Sequence, residues 1–304
     1  MRRTTAALIL CLALSVLLLT GCGIFSAFQA APDEETHLLV TTTIYPLTCI
    51  AREIGGDRVT LTTLLPAGGS AHLHEVGPAM MKHAVSADLL IRIAGGLDGW
   101  AEQVFSVARE DATILEIVTV LNESGGEDLG DPHIWLDPIL VRDDIVPLLV
   151  HRFSALDPQG SAHYEDNAAR FTDELTGLDR ELQDMFRDIT VRSFISDHAA
   201  WTHFAHRYNL EQRGVLESTP GHECSPREAT ELVDLARHEG VHVITTTRGH
   251  GTMLAEALAG QVDGILLDLD PLGDPDSKDR SSYAQILRYN AAKLAAALGE
   301  SVYP

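Results

Sequence analysis

The chain has 304 residues and a formal net charge of -22, with 44 acidic against 22 basic residues. So large an excess of carboxylates argues against a nucleic-acid-binding protein, because phosphate binding needs a basic patch. The length allows two domains or one large domain. The charge is compatible with a cation as ligand, but charge alone defines no binding site.

The N-terminus has the features of an export signal. Arg2 and Arg3 precede 14 uncharged, mostly apolar residues (6–19), too few for a membrane-spanning helix of ~20 residues. Residues 19–22, Leu-Thr-Gly-Cys, resemble a bacterial lipobox. The resemblance implies that residues 1–21 are a lipoprotein signal peptide and that Cys22 carries the lipid. The alternative is a plain secretory signal with a chance cysteine. Loss of Arg2 and Arg3 would change the net charge from -22 to -24.

Residues 22–36 are predicted to form a flexible tether that keeps the protein at the membrane surface through the lipid. The remaining cysteines of the mature chain are Cys49 and Cys224. An exported protein can join them in a disulfide, but two buried thiols fit the sequence equally well. Their spacing does not predict a cysteine zinc site.

Short β-rich runs alternate with helical stretches, a pattern typical of α/β units with mostly parallel sheets. Predicted strands cover residues 38–43, 59–65, 88–93, 112–117, 193–196, 241–247 and 264–269. Predicted helices include residues 47–56 and 78–87. A further helix begins at Ser225, with a capping-box glutamate at Glu228, and ends at Gly240.

Between the two halves, apolar residues recur at alternating intervals of four and three. They are Tyr164, Ala168, Phe171, Leu175, Leu178, Leu182, Met185 and Ile189. The spacing predicts one amphipathic helix roughly 39 Å long, with Gly177 as its internal weak point. A coiled-coil dimer seam is the alternative, but α/β units on both sides favour a spine on which both pack. We therefore predict an N-terminal lobe at 37–158, a spine helix at 159–190 and a C-terminal lobe at 191–304.

Metal-competent side chains lie where strands end, and α/β sheets bind ligands at the carboxyl ends of their strands. His72 and His74 follow the second predicted strand, and His133 precedes a helix. His198 follows the fifth predicted strand and Asp270 the last. Each residue alone is a weak signal, but three imidazoles and a carboxylate on separate loops would make a tetrahedral site suited to Zn²⁺.

Several stretches resemble the cluster A zinc and manganese solute-binding proteins of ABC transporters. They are residues 41–78, GLDGWAEQV (96–104), DPHIWLDP (131–138), residues 156–182, HAAWTHFAHRYNL (198–210) and LDPLG (269–273). The likeness covers nearly the whole mature chain. It implies an α/β fold of two lobes with mostly parallel sheets, joined by one long spine helix, with the metal in the interlobe cleft.

Carried over position by position, the resemblance implies His72, His133, His198 and Asp270 as the metal ligands. Ala71 stands where the family has a proline, which leaves His74 as an alternative to His72. Manganese-type members tend to carry a glutamate at the position of His198, so an imidazole there favours zinc. The loop before His133, ESGGEDLG (123–130), lacks the histidines frequent in zinc members, so manganese stays open.

The motif DPHIWLDP predicts that the imidazole of His133 is held in a fixed orientation before a metal binds. Pro132 stiffens the loop, and Trp135 is expected to pack it into the core. Asp131 or Asp137 is expected to hold the second ring nitrogen of His133. The alternative role of either aspartate is helix capping.

The resemblance implies a monomeric, extracytoplasmic receptor, anchored by lipid on Cys22 at the outer face of the cytoplasmic membrane or in the periplasm. It would capture Zn²⁺ as a transported ligand and deliver it to an ABC permease, without enzymatic activity. Since ligating imidazoles must be neutral, affinity is expected to fall as pH drops through ~6.5. The spine helix is expected to limit the relative motion of the lobes.

Three alternatives remain: the same role for Mn²⁺, a zinc hydrolase and a surface adhesin. A catalytic zinc keeps an open position beside a general base, for which Glu75 is a candidate. The sequence has one HExxH match, HEGVH at residues 238–242, but the predicted helix ends at Gly240 within it, whereas such a zinc site needs both histidines on one helix. Four candidate ligands favour a closed binding site.

Overall fold

The computed structural model describes residues 37–124, 129–219, 222–248 and 253–300. The predicted signal peptide, the lipobox and the tether lie outside these residues. The chain from residue 37 onward forms one compact unit. Within the described part, no helix has both the length and the apolar character needed to cross a bilayer.

The first lobe is built on a four-stranded parallel sheet with strand order β2-β1-β3-β4. The strands are β1 (Leu38–Thr42), β2 (Val59–Thr63), β3 (Leu89–Arg92) and β4 (Thr113–Glu116). The helices are α1 (Tyr45–Gly55), α2 (Pro78–Ser86), α3 (Ala101–Phe105) and α4 (Ile117–Glu123). All four strands predicted in this half are present, each shorter than its apolar run by one or two residues.

A helical segment links the first lobe to the spine helix. It contains a 3₁₀ turn at Ile134–Leu136, α5 (Pro138–Leu140), a π-helical turn at Val141–Ile145, α6 (Val146–Leu156), a second 3₁₀ turn at Pro158–Gly160 and α7 (Ser161–Phe186). The predicted apolar stripe of α7 is buried from Tyr164 to Leu182. The helix ends before Ile189, and Phe186 is buried in its last turn. The stripe belongs to a core that includes residues of both sheets, so α7 is a shared spine.

The second lobe is built on a five-stranded sheet with strand order β7-β6-β5-β8-β9. The strands are β5 (Ser193–His198), β6 (Glu211–Thr219), β7 (His222–Glu223), β8 (Val243–Thr247) and β9 (Ile265–Leu269). The helices are α8 (Thr202–Arg207), α9 (Pro226–Glu239), α10 (Met253–Gln261) and α11 (Tyr283–Glu300). The short edge strand β7 is antiparallel to β6, and the other neighbours are parallel.

Local signals in the second half have mixed outcomes. The Ser225–Glu228 capping box is present, and Gly240 ends α9 in the left-handed conformation, with φ of 70°. Strands β6 and β7 were not predicted.

Cys49, which is buried, and Cys224 are not joined in a disulfide. Burial raises the pKa of the Cys49 thiol to about 11, so this thiol is unreactive at neutral pH.

Two neighbouring substitutions on α7 test the spine. Leu178 is 1% exposed, so Leu178→Ala should lower the free energy of unfolding by about 2–5 kcal/mol. Gly177 is exposed, and a Cβ there would meet no atom within 4 Å. Gly177→Ala should therefore raise the free energy of unfolding by about 0.5–1 kcal/mol. Chemical denaturation measures both values. Equal effects of the two substitutions would contradict the assigned orientation of the helix.

Candidate metal site

Three imidazoles from separate loops converge on one point. The candidate ligand atoms of His72, His133 and His198 all lie within 4.8 Å of one another. The Nε2 atoms of His72 and His133 are 3.3 Å apart. Two nitrogens bound to one tetrahedral zinc at ~2.0–2.1 Å are roughly 3.3 Å apart, so this spacing suits such a centre.

His72 lies on the long loop between β2 and α2. The indole Nε1 of Trp100 donates a hydrogen bond to the carbonyl oxygen of Ala71, at 2.8 Å. This bond holds the loop at the residue that replaces the family's proline. His74 packs its ring against Trp100, with the centroids 5.1 Å apart, and is not in the group of three. The structure therefore brings His72, and not His74, to the other imidazoles.

His133 directly precedes the 3₁₀ turn at Ile134–Leu136 and is 5% exposed. Its Nδ1 lies 2.7 Å from Oδ1 of Asp131, which also accepts the His133 backbone N–H at 2.9 Å. A carboxylate accepts only, so Nδ1 carries the proton and Nε2 presents its lone pair to the group. Asp137 instead caps α5 by accepting the backbone N–H of Ile139. The two roles considered for these aspartates are thus divided between them.

His198 is the last residue of β5, a strand two residues longer than predicted. Its Nδ1 lies 3.2 Å from Oδ1 of Asp197. Asp197 is 3% exposed and also accepts hydrogen bonds from the backbone N–H and the hydroxyl of Thr247. Burial opposes ionisation of Asp197, but its bonds to His198 and Thr247 outweigh burial and lower its pKa. A fixed carboxylate therefore orients this imidazole too.

The carboxylate of Asp270 is not in the group of three imidazoles. Its Oδ1 accepts the backbone N–H groups of Leu272, at 3.1 Å, and Gly273, at 2.8 Å. Its Oδ2 lies 2.9 Å from Nε of Arg280. Asp270 directly follows β9, where the sequence analysis predicted it, but its oxygens are engaged within its own lobe.

The motif loop joins the two lobes at the site. Trp135 is 1% exposed, as predicted, and its Nε1 donates a hydrogen bond to the carbonyl oxygen of Pro271 at 2.8 Å. The Tyr283 hydroxyl donates in turn to the carbonyl oxygen of Trp135 at 2.8 Å. The loop that carries Asp270 is therefore fixed against the loop that carries His133.

Three supporting residues had no assigned role in the sequence analysis. Asp197 adjoined a predicted ligand, and an aspartate beside a ligand histidine is a usable signal. His203 lies 2.8 Å, through Nε2, from the carbonyl oxygen of Asp131. The buried Asp98 accepts hydrogen bonds from Thr43 Oγ1 and the Ile93 backbone N–H. The last two roles depend on contacts between distant segments.

Two of the three imidazoles, His72 and His133, are held in the neutral form. Burial, followed by the proximity of His133 and His198, lowers the pKa of His72 to about 4. Burial also lowers the pKa of His133, although Asp131 acts in the opposite direction. Neutral imidazoles are the form that a metal ion requires. Proton competition at these two residues therefore begins at lower pH than the ~6.5 of an unperturbed imidazole.

Residues 40–297 match the family described as ZnuA, the periplasmic component A of a zinc-uptake complex. The chain belongs to this family. Membership confirms the prediction of a solute-binding component as opposed to an enzyme, and it agrees with the observed two-lobed α/β fold.

Relatives of known name are about 25% identical to this chain in sequence. The high-affinity zinc uptake system protein ZnuA of Bacillus subtilis is 24% identical over 297 residues, which are 91% of this chain and 93% of the relative. The manganese ABC transporter substrate-binding lipoprotein PsaA of Streptococcus mitis is 24% identical, with 94% of this chain and 96% of the relative covered. The zinc-binding lipoprotein AdcA of Streptococcus pneumoniae is 25% identical over 92% of this chain, which spans 60% of the length of AdcA.

Solved structures have the same architecture. A ZnuA deletion mutant with zinc bound has a TM-score of 0.76 and 27% identity, with 88% of this chain and 100% of that chain covered. The laminin-binding protein Lmb of Streptococcus agalactiae has a TM-score of 0.75 and 25% identity, with 86% of this chain and 99% of that chain covered. Lmb is described as a bifunctional protein with adhesin and metal-transporting activity.

The lowered pKa of His72 predicts how the stability of the metal-free protein depends on pH. An imidazole whose pKa falls from 6.5 unfolded to about 4 folded takes up a proton on unfolding, so stability is fully present above pH ~6.5. The free energy of unfolding declines as pH falls from ~6.5 toward ~4, and His72 accounts for up to about 3 kcal/mol of this decline.

Chemical denaturation with a chelator, from about pH 7.5 to about pH 4.5, measures this decline. His72→Gln should flatten the curve, whereas His83→Gln, at an exposed position of α2, should leave its slope unchanged. If both variants follow the wild-type curve, the neutral His72 assignment is wrong.

Proposed function

We propose that the chain is a receptor that captures Zn²⁺ in the cleft between its two lobes and delivers it to an ABC permease. The observation that carries this proposal is the convergence of His72, His133 and His198, whose ligand atoms lie within 4.8 Å of one another. Two of these imidazoles have lowered pKa values, so they are poised for a metal at neutral pH. No bond is made or broken in this function.

The three imidazoles and Asp270 are the proposed ligand set. His72 and His133 come from the first lobe, and His198 and Asp270 come from the second. Asp131 and Asp197 hold the Nδ1 sides of two rings, which directs the remaining nitrogens toward a common point. A metal bound in this way links the lobes, and a permease can read the resulting arrangement.

The donor chemistry favours zinc over manganese. Imidazole nitrogen suits Zn²⁺, whereas Mn²⁺ prefers carboxylate and carbonyl oxygen ligands. The names of the relatives ZnuA and AdcA refer to zinc and support the same choice. The relative PsaA is named for manganese, so Mn²⁺ is the alternative cargo for the same fold.

Attachment through lipid on Cys22, an extracytoplasmic location and a monomeric state belong to the proposal. The names of AdcA and PsaA describe lipoproteins, and the PsaA name refers to an ABC transporter. A tethered receptor keeps its cargo close to the membrane, where a permease takes it up.

Adhesion to a host protein is a second candidate function. The observation that favours it is the likeness to Lmb at a TM-score of 0.75 and 25% identity. Saturable binding of the soluble chain to immobilised laminin would support it, and binding no stronger than that of an unrelated acidic protein would exclude it.

Metal titration tests the main proposal. The chain from residue 23 onward is stripped with a chelator, and Zn²⁺ and Mn²⁺ are then titrated separately by calorimetry. We expect one tight zinc per chain and weaker manganese. His198→Ala should weaken zinc binding by at least about a hundredfold, because a buried metal loses one of its nitrogen ligands.

His74→Ala is the control for this titration, because His74 lies outside the group of imidazoles. It should change zinc affinity by less than about threefold. Tighter manganese than zinc would change the cargo and keep the receptor role. No tight site for either metal would contradict the proposed function.

A matched pair of aspartates tests how the imidazole is held. Asp131→Asn should weaken zinc binding by about 10–100-fold, because the amide no longer enforces the Nδ1-protonated form of His133. Asp137→Asn should have little effect, since asparagine also caps a helix. Competition with a zinc-sensitive dye measures both affinities. Equal losses in both variants would refute the separate roles.

A further inference from the structure

Asp270 is held on both of its oxygens by partners in its own lobe. Oδ1 accepts the backbone N–H groups of Leu272 and Gly273. Oδ2 faces Nε of Arg280 at 2.9 Å, and the two side chains are 9% and 8% exposed. Both oxygens of this buried carboxylate have partners, so a metal ion does not find it free.

The contact to Arg280 is an ion pair without an aligned hydrogen bond, because the Nε–H group points away from the carboxylate oxygen. Arg280 also has partners that do not involve Asp270. Its Nη1 donates to Oδ1 of Asp279 at 3.1 Å, and its guanidinium lies 4.8 Å from the centroid of the Tyr289 ring. These partners keep the guanidinium in place when the Asp270 carboxylate turns away.

The pair borders the imidazole group. Leu269, the residue before Asp270, lies opposite Thr247 in the sheet, and the Thr247 hydroxyl is 3.2 Å from Nδ1 of His198. Asp270 also lines a cavity of about 470 Å³ to which residues 67–69 of the first lobe contribute. Asp270 thus lies near the imidazoles and beside this cavity, but its carboxylate is already paired with Arg280.

We propose that Arg280 is a specificity-determining residue, because it competes with the metal ion for the Asp270 carboxylate. This inference rests on the proposed metal-binding function. A cation that takes Asp270 as a ligand must replace the positive charge of Arg280. Three imidazoles already provide most of a zinc site, so Zn²⁺ loses little by this competition. Mn²⁺, which depends on oxygen ligands, loses more, and Arg280 therefore favours zinc over manganese.

A double-mutant cycle tests this competition. Zn²⁺ and Mn²⁺ affinities are measured by dye competition, and bound Mn²⁺ also by electron paramagnetic resonance, in wild type, Arg280→Gln, Asp270→Asn and the double variant. Arg280→Gln should raise manganese affinity roughly tenfold and zinc affinity less than about threefold. In the Asp270→Asn background, the same substitution should change either affinity by less than about twofold.

Two further variants control for charge and folding. Arg288→Gln also removes one positive charge, from an arginine on α11 that pairs with Glu181. It should leave the ratio of zinc affinity to manganese affinity unchanged. Arg280→Lys replaces Arg280→Gln if the latter unfolds in a thermal melt. Its manganese gain should be smaller than tenfold but measurable, because an ammonium lacks the planar contact with Tyr289.

An unchanged metal ratio in a folded Arg280 variant would overturn the inference. A gain that persists with Asn at position 270 would also overturn it. Both outcomes leave the proposed receptor function standing, provided that wild type binds zinc. If neither wild type nor any variant binds a metal, the receptor function fails, and the role of Arg280 fails with it.

Discussion

Three imidazole rings whose ligand atoms lie within 4.8 Å of one another pack stably only when the rings are neutral. The rest of the structure is arranged around that constraint. Mutual repulsion and burial both disfavour the protonated rings, as the low pKa of His72 shows. The carboxylates of Asp131 and Asp197 accept hydrogen bonds at Nδ1 of His133 and His198 without entering the group. The Nε2 lone pairs of these two rings are left for the group, where the proposed divalent cation would bind.

This arrangement requires that two lobes be held at a fixed distance. The spine helix α7 contributes one apolar stripe to a core shared by both sheets, so both lobes pack on the same helix. Hydrogen bonds from Trp135 to Pro271 and from Tyr283 to Trp135 add polar links between the loops at the site. The imidazoles thus meet at a junction whose geometry is set by the packing of both lobes on α7 and by these hydrogen bonds.

Asp270 shows how the same junction limits its own ligand set. The carboxylate lies beside the imidazoles in the fold but is neutralised by Arg280 and by two loop amides. In the proposed ligand set, this pairing leaves mainly nitrogen to an incoming ion. If Arg280 competes as we propose, the selectivity of the site depends on a charge inside the protein as much as on the ligands themselves.

Much of this protein follows from local patterns that act over a few residues. The short apolar, β-rich runs predict the parallel strands, and the spacing of three and four residues predicts the spine, because that spacing gives a helix one buried face. Ser225, Glu228 and Gly240 determine the ends of α9 through bonds made within the helix itself. The three histidines that the structure brings together were also singled out from sequence, since they lie where strands end and within recognisable motifs.

Tertiary structure alone decided which side chains meet. The choice of His72 over His74 depends on the bond from Trp100 to Ala71, across 29 positions of the chain. The division of roles between Asp131 and Asp137 depends on side-chain direction in one loop, and the pairing of Asp270 with Arg280 depends on how the loop after β9 folds back. Strand β6 and the edge strand β7 were missed because pairing with a neighbour, and not an apolar period, stabilises them. Such contacts join residues that no local pattern relates, so they follow only from the packed fold.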